Sequence, residues 1–254
     1  FIFSHTTSEV TDLDAQSRII SMISGSGFTK KGYPYRALFS INFQGLNNRG
    51  LPTFINENGE KTVSNHFFQS YDLSHLVYEG PTDPTITGSF GNIFKYKNLS
   101  LNVFITYSGG NVVRLDPTFA SAYSDLSAMP REFINRWTKP GDEAFTNIPA
   151  IADLRQIQND TRLAYAYNAY NYSTARTASG DFIRMKEISV GYEFPARLVR
   201  HLGINSLGMK LQGTNLFLIY SDKKLNGQDP EFFNSGGVAV PMARQFTFTL
   251  RVGI

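Results

Sequence analysis

The sequence predicts an all-β fold, a transmembrane antiparallel β-barrel, from its composition and its hydropathy pattern. Aromatic residues make up 14% and charged residues 18% of the 254 residues, whereas about 25% of an average soluble domain is charged. The 21 phenylalanines and 13 tyrosines favour pleated, half-buried surfaces. Several segments alternate apolar and polar residues, and strands of this kind cross a membrane without a long apolar run.

Two segments show the alternation most clearly. Across residues 246–254 every second residue is apolar, and the residues between them are polar or glycine. Across residues 99–108 the same pattern holds, with Phe104 as the exception. A period of two predicts a strand with one apolar face and one polar face. We expect the apolar faces to contact lipid.

Less regular patterns predict the other elements. Further strands are expected at residues 35–44, 85–96, 182–194 and 207–219. Residues 130–137 predict a local helix, because Pro130 suits a first helical turn and the following Lys139-Pro140-Gly141 cannot continue it. The segment Ile19–Ile23 fits either a strand or a short helix.

The connections between these strands fall into two classes. Residues 97–98 form a tight turn and residues 195–206 a compact linker, whereas residues 109–180, 46–84 and 220–241 are long. Loops of such length argue against a compact soluble domain. Long connections on one side and short ones on the other are typical of an outer-membrane barrel with long extracellular loops.

Composition also limits the possible chemistry. The chain has no cysteine, which excludes disulfides, thiolate nucleophiles and cysteine-based zinc sites. Its four histidines, His5, His66, His75 and His201, are scattered, and no Gly-x-Ser-x-Gly motif is present. The net charge is only +3, which does not favour nucleic acid as a partner. We therefore expect no enzyme activity, no cofactor and no metal site.

Three local motifs have two interpretations each. Residues 56–60 fit a polar Asn-Gly turn better than a calcium loop, because the twelve-residue calcium spacing is missing. Asp229-Pro230-Glu231 fits a structural turn better than an acid–base pair. Arg184 and Lys186 fit anchors at a membrane interface better than an anion-selective site.

Aromatic residues of the longest connection are the candidate functional residues. Possible ligand or partner contacts are Trp137, Tyr165, Tyr167, Tyr170 and Tyr172. The tyrosines alternate with Asn168 and Asn171, a composition typical of recognition surfaces because tyrosine offers a large contact area at a small entropic cost. The alternative is that these rings pack the loop against itself or against a partner.

Several motifs in a fixed order resemble one family of transporters. They are SGDFIRMKEISVGYEFP at 179–195, LGI at 202–204, GTNLF at 213–217, DPE at 229–231 and the terminal Phe-x-Phe-x-Leu strand. Upstream, RWTKPGD at 136–142 with Ile148-Pro149, and the hairpin at 88–101, add to the likeness. In this order the motifs resemble the late barrel of SusC/RagA-like TonB-dependent outer-membrane transporters.

The resemblance implies that residues 1–254 are the C-terminal portion of a 22-stranded barrel, with the plug and the N-terminal domains absent from this chain. It implies TonB-dependent import of nutrient oligomers, glycans or oligopeptides, across the cell outer membrane. A SusD-like surface lipoprotein would close over the barrel as a lid. TonB would act through a part of the protein not present in this chain.

Two alternatives to this function stay open at the level of the sequence. One is a soluble β-sandwich module that binds carbohydrate through tyrosine and tryptophan rings. The other is a small self-contained outer-membrane barrel, which would need no further segment to close.

Overall fold

The structure is a computed structural model that describes residues 1–63, 68–117, 119, 131–151, 154–160, 162–233 and 242–254. His66 and Pro130 lie outside the described residues. The described strands are β1 (Ile2–His5), β2 (Ala37–Ile41), β3 (Phe43–Leu46), β4 (Pro52–Ile55), β5 (Lys61–Thr62), β6 (Leu76–Pro81), β7 (Ile86–Tyr96), β8 (Leu99–Gly109), β9 (Val112–Arg114), β10 (Thr177–Ser179), β11 (Phe182–Glu193), β12 (Ser206–Ser221) and β13 (Gln245–Gly253).

The helices are short and lie in the connections. The α-helices are α1 (Ile19–Ile23), α2 (Leu154–Asn159), α3 (Arg162–Asn171) and α4 (Ala196–Val199). Short 3₁₀ turns occupy Arg131–Asn135, Asp142–Ala144, Thr174–Arg176, Arg200–Leu202, Lys223–Leu225 and Pro230–Phe232. Ile19–Ile23 is thus a helix, and the helix predicted at 130–137 is the 3₁₀ turn Arg131–Asn135. None of the described helices combines the length and the apolar character needed to cross a membrane.

A six-stranded antiparallel sheet, called here the large sheet, has the strand order β1-β7-β8-β11-β12-β13. Four strands predicted from the sequence, at 85–96, 99–108, 182–194 and 207–219, form its centre, and the predicted C-terminal strand is its last strand. The prediction of one strand at 35–44 was wrong. Asn42 divides that segment into β2, which pairs with β6, and β3, which pairs with β4.

The change of partner at Asn42 has a local cause. Ile41 N–H donates to the carbonyl of Tyr172 at 3.0 Å, and the carbonyl of Asn42 accepts from Ile55 at 3.0 Å. The backbone on either side of Asn42 is therefore held by two different segments, and a single continuous ladder cannot form.

The large sheet has one apolar and one polar face. Directly opposed residues on neighbouring strands share a face, and one such row is Phe94, Leu101, Val190, Leu211 and Phe248. On the other face, a row consists of Ser100, Gly191, Lys210 and Thr249. Four of the five residues of the apolar row are exposed, Phe248 to 60%, and Leu101 is half-buried.

In the sequence of β11, every second residue is apolar only from Ile188 onward, because Arg184 and Lys186 have the same parity before it. A bulge in the strand explains this change. The register with both neighbouring strands shifts between Met185 and Glu187, which leaves Lys186 as the extra residue. A one-residue shift moves all following side chains to the other face. Ile183 and Met185 before the bulge therefore share a face with Ile188 after it.

All long connections leave the large sheet at the same end. The register places Ile86 opposite Gly109, and Phe182 opposite both Ser108 and Ser221. Residues 97–98 and 194–205 join strands at the other end, as the sequence predicts. We call the described parts of residues 6–85, 110–181 and 222–244 the loop layer.

The loop layer has a hydrophobic core of its own. Its largest cluster joins α1, β2, β4 and α3 to residues 119 and 133, so that the two longest connections pack against each other. Phe119 stacks on Tyr167 with ring centroids 5.8 Å apart and meets Tyr170 edge to face at 5.0 Å. The Asn171 side chain bonds to both the N–H and the carbonyl of Phe119, at 3.1 and 2.8 Å.

Two buried arginines connect segments of the loop layer with each other, and a third connects the loop layer to the large sheet. Arg114 donates to the carbonyls of Phe39 (2.7 Å) and Ser173 (2.8 Å) and to the Ser40 hydroxyl (2.9 Å). Burial lowers the pKa of the Arg114 guanidinium to about 10, so the group is charged at neutral pH.

The other two arginines pair with carboxylates. Arg176 donates to both carboxylate oxygens of Glu132 at 2.8 Å and to the carbonyl of Asp116 at 2.9 Å. Arg184, the third, lies at the start of β11 and pairs with the connection that follows β12.

We predict that Arg114→Met loosens the loop layer and leaves the large sheet intact. The substitution leaves acceptors on β2 and at Ser173 without a donor, which costs about 3 kcal/mol locally. Hydrogen exchange of the amides in β2 and β9 should accelerate about 100-fold. The exposed Arg200, changed to Met, is the matched control, and equal exchange in both variants would contradict the prediction.

Candidate functional site

The predicted aromatic cluster divides between the inside and the outside of the loop layer. Tyr165, Tyr167 and Tyr170 all lie on α3. Tyr167 and Tyr170 are three residues apart and share a helix face, and each is 2% exposed. Tyr165 lies off this face and is 60% exposed. The ring of Tyr165 is therefore available to a ligand.

The buried tyrosines have the packing role that the sequence left as an alternative. Tyr167 donates its hydroxyl to the carbonyl of Ala150 at 2.8 Å, and burial raises the pKa of the Tyr170 phenol above its usual range. Tyr172 is half-buried and meets Phe68 edge to face at 5.8 Å. A ring enclosed on both sides cannot stack on a sugar or a peptide, which excludes Tyr167 and Tyr170 as stacking platforms.

Trp137 lies on a segment that is braced by its own hydrogen bonds. The indole Nε1 donates to Glu143 Oε2 at 2.9 Å, and the Trp137 N–H donates to the Ile148 carbonyl at 3.0 Å. Asp142 Oδ2 accepts from the N–H and hydroxyl of Thr138 and from the N–H of Lys139. These bonds keep the pKa values of both carboxyls low, Glu143 through Trp137 and Asp142 through Thr138.

Gly50 fixes the position of the indole from the other side. A Cβ at Gly50 would lie 2.4 Å from the indole ring, and the φ angle of Gly50 is +72°. Both facts restrict this position to glycine, because other residues disfavour a positive φ. The ring of Trp137 thus lies against the turn before β4, and its Nε1 edge is bound by Glu143.

Trp137 borders a groove of about 490 Å³. The groove is lined by Arg49, Leu51, Arg136, Trp137, Gln156 and Tyr167, among others. Sequence reasoning found the aromatic members and missed the two arginines. Arg136 directly precedes Trp137 in the family-like motif, which was a usable signal, whereas Arg49 stands in a turn without any pattern.

Arg184 and Asp229 form a buried ion pair rather than two separate sites. Arg184 Nη2 lies 2.6 Å from Asp229 Oδ2, and Nε lies 3.1 Å from Glu231 Oε2. The expectation that Arg184 anchors the chain at a membrane interface was wrong, because its guanidinium is buried against this connection.

The structural turn predicted at Asp229-Pro230-Glu231 is confirmed. Asp229 caps the 3₁₀ turn Pro230–Phe232 by accepting from Glu231 N–H at 3.1 Å.

The polar Asn-Gly turn predicted at residues 56–60 is also confirmed. Asn56 Oδ1 accepts from the N–H groups of Asn58 and Glu60, both at 2.9 Å. Within the described part of the chain, no cluster of three or more histidine, aspartate or glutamate residues could hold a metal ion.

Sequence comparison relates the chain to TonB-dependent receptors. It is 26% identical over 152 residues to TonB-dependent receptor P3 and 25% identical over 170 residues to TonB-dependent receptor P39, both of Formosa agariphila. These matches cover 60% and 65% of this chain, but only 13% and 15% of the two receptors. No protein-family profile matches the sequence.

Structure comparison shows the same fold in a known importer. The RagAB peptide transporter matches with a TM-score of 0.61 and 20% identity, covering 88% of this chain and 23% of the transporter chain. The RagAB peptide importer in its open-open state matches with a TM-score of 0.59 and 19% identity, over 86% of this chain and 22% of the other. The resemblance inferred from the motifs is therefore confirmed, and this chain is similar to a segment of the SusC/RagA-like TonB-dependent transporters.

Proposed function

We propose that this chain is the C-terminal portion of an outer-membrane TonB-dependent transporter that imports nutrient oligomers. The observation that carries the proposal is the large sheet, which exposes apolar rows on one face and polar rows on the other. A row such as Phe94, Leu101, Val190, Leu211 and Phe248 crosses five strands. A monomeric soluble protein rarely leaves such a surface in water.

A lipid environment accounts for both faces and for the open edges. In lipid, every backbone group must be paired within the protein, which only a closed barrel achieves with strands. The edges of the large sheet are β1 and β13, and neither has a second partner strand among the described residues. We infer that further strands of a longer protein, 22 in all, close the barrel and that the polar face lines its interior.

The loop layer supplies the capture surface in this proposal. It lies at one end of the strands, as expected for extracellular loops. Trp137 and Tyr165 present aromatic surface there, whereas the buried tyrosines support them. The substrate is a glycan or an oligopeptide, held between these loops and a SusD-like lid lipoprotein. TonB acts through a part of the protein outside this chain, and no bond chemistry is involved.

Neither alternative explains the large sheet as well. A β-sandwich packs two sheets face to face and buries the apolar face, whereas here that face is exposed. A small self-contained barrel needs its own edge strands to pair with each other. Measurement of the intact mass of the native polypeptide separates a small barrel from a segment of a large one.

We predict that aspartate is tolerated on one face of the large sheet only. Val103→Asp or Leu250→Asp puts a carboxylate into lipid at a cost of about 2 kcal/mol each and should impair barrel assembly. Thr106→Asp and Thr249→Asp are the matched controls on the opposite face, where Thr249 lies opposite Lys210. The measurement is the heat-dependent shift of the folded barrel on a gel, and equal tolerance on both faces would refute the membrane assignment.

We predict that Tyr165, which is exposed, and Trp137, which is half-buried beside the groove, act in capture. Trp137→Ala and Tyr165→Ala should each lower uptake of the natural nutrient several-fold in cells, with normal amounts of folded transporter. Tyr192→Phe, at the opposite end of the large sheet, is the control and should leave uptake unchanged. Uptake that is normal in both alanine variants would show that these rings do not contact the substrate.

A further inference from the structure

The groove beside Trp137 is positively charged. The proposed import of nutrient oligomers does not by itself require this charge. Its lining residues include Arg49 and Arg136, and among the described residues no aspartate or glutamate lines it. Neither arginine pairs with a described acidic residue, whereas Arg176 and Arg184 both do. Arg136 Nη1 donates to the carbonyl of Phe133 at 3.1 Å. Arg49 is exposed in the turn before β4.

The two carboxylates that follow Trp137 in the sequence each accept hydrogen bonds from neighbouring residues. Glu143 accepts from the indole of Trp137 and from the N–H of Gly141 at 2.8 Å. Asp142 accepts from Thr138 and Lys139. These bonds hold the segment in shape through Asp142 Oδ2 and Glu143 Oε2, and neither residue lines the groove. The groove therefore keeps a positive side next to an aromatic ring.

We propose that this groove binds the carboxylate of an acidic oligosaccharide, which makes a uronate-bearing glycan the substrate class. The inference rests on the proposed import function. A guanidinium matches a carboxylate with paired hydrogen bonds. The ring of Trp137 offers apolar surface to a sugar ring, and Gln156 offers an amide at the same wall.

A sugar fits the groove better than a peptide does. Extended peptides are commonly bound by adding a strand to a free sheet edge. Arg49 and Leu51 belong to the turn between β3 and β4, and Arg136 and Trp137 follow a 3₁₀ turn, so these parts of the wall offer no strand edge. Ligand recognition here depends on side chains, which suits hydroxyl and carboxylate groups on a ring.

The test is a titration of the full-length protein in detergent with trigalacturonate. Its methyl ester is the uncharged control ligand, and an acidic tripeptide is the competing ligand class. We expect the trimer to bind at least 10-fold more tightly than its ester, and the double variant Arg49→Gln/Arg136→Gln to bind about 10- to 100-fold more weakly. Arg197→Gln, at the opposite end of the large sheet, should bind as the unchanged protein does.

Three results would overturn the proposal. They are equal binding of the acid and its ester, unchanged binding by the double variant, and binding of the tripeptide alone. If the double variant does not fold, the test is the salt dependence of trimer binding by the unchanged protein. An affinity that depends on the two guanidinium groups falls as ionic strength rises. A salt-independent affinity would also overturn it. Uptake in cells is measured separately. A protein that imports other nutrients but does not bind uronates would refute the uronate proposal and would not refute the import function.

Discussion

Buried guanidinium groups are the constraint on which the loop layer depends. Arg114, Arg176 and Arg184 are each less than 7% exposed, and a charge removed from water is tolerated only when its hydrogen bonds are met. The Nη donors of each group reach acceptors 44 to 75 residues away in the chain, whereas the three Nε atoms make no hydrogen bond with a described residue. The connections must therefore adopt their mutual arrangement before Arg114 and Arg176 reach these acceptors, and the connection after β12 must pack on β11 before Arg184 does.

The hydrophobic core of the loop layer adds to this constraint and gives the candidate site its rigidity. Phe119 lies between two tyrosines of α3 and is fixed by the Asn171 side chain. This packing places α3, and with it Gln156 of the neighbouring helix, beside the segment that carries Trp137. A groove built this way needs little reordering when a ligand enters, which reduces the entropic cost of binding.

The strands of the large sheet could be predicted from sequence because their pattern depends on one rule, the alternation of faces. The rule failed where a residue was added or a partner changed. Lys186 reverses the parity of β11, and Asn42 exchanges one partner strand for another. Neither event leaves a local signal, since both are decided by segments distant in sequence.

The loop layer was less predictable for the same physical reason. Residues 165–172 are uniformly rich in tyrosine, alanine and asparagine. Only the helical geometry of α3 decides which of its tyrosine rings are enclosed. Arg49 reaches the groove because Gly50 and Trp137 pack together, a contact between residues 87 positions apart, by the numbering of the chain. The motif order indicated the resemblance to SusC/RagA-like transporters, and it did not indicate the charge of the groove.

The common core of the two longest connections also bears on how such a protein diversifies. Because Ile41 and Phe54 of one connection share a hydrophobic cluster with Phe119 and Tyr170 of the other, exchange of one connection alone would disrupt that cluster. New specificity would then arise through paired changes in both connections, or through substitutions at the groove surface. Chimaeras made by loop grafting should accordingly transfer residues 6–85 and 110–181 together.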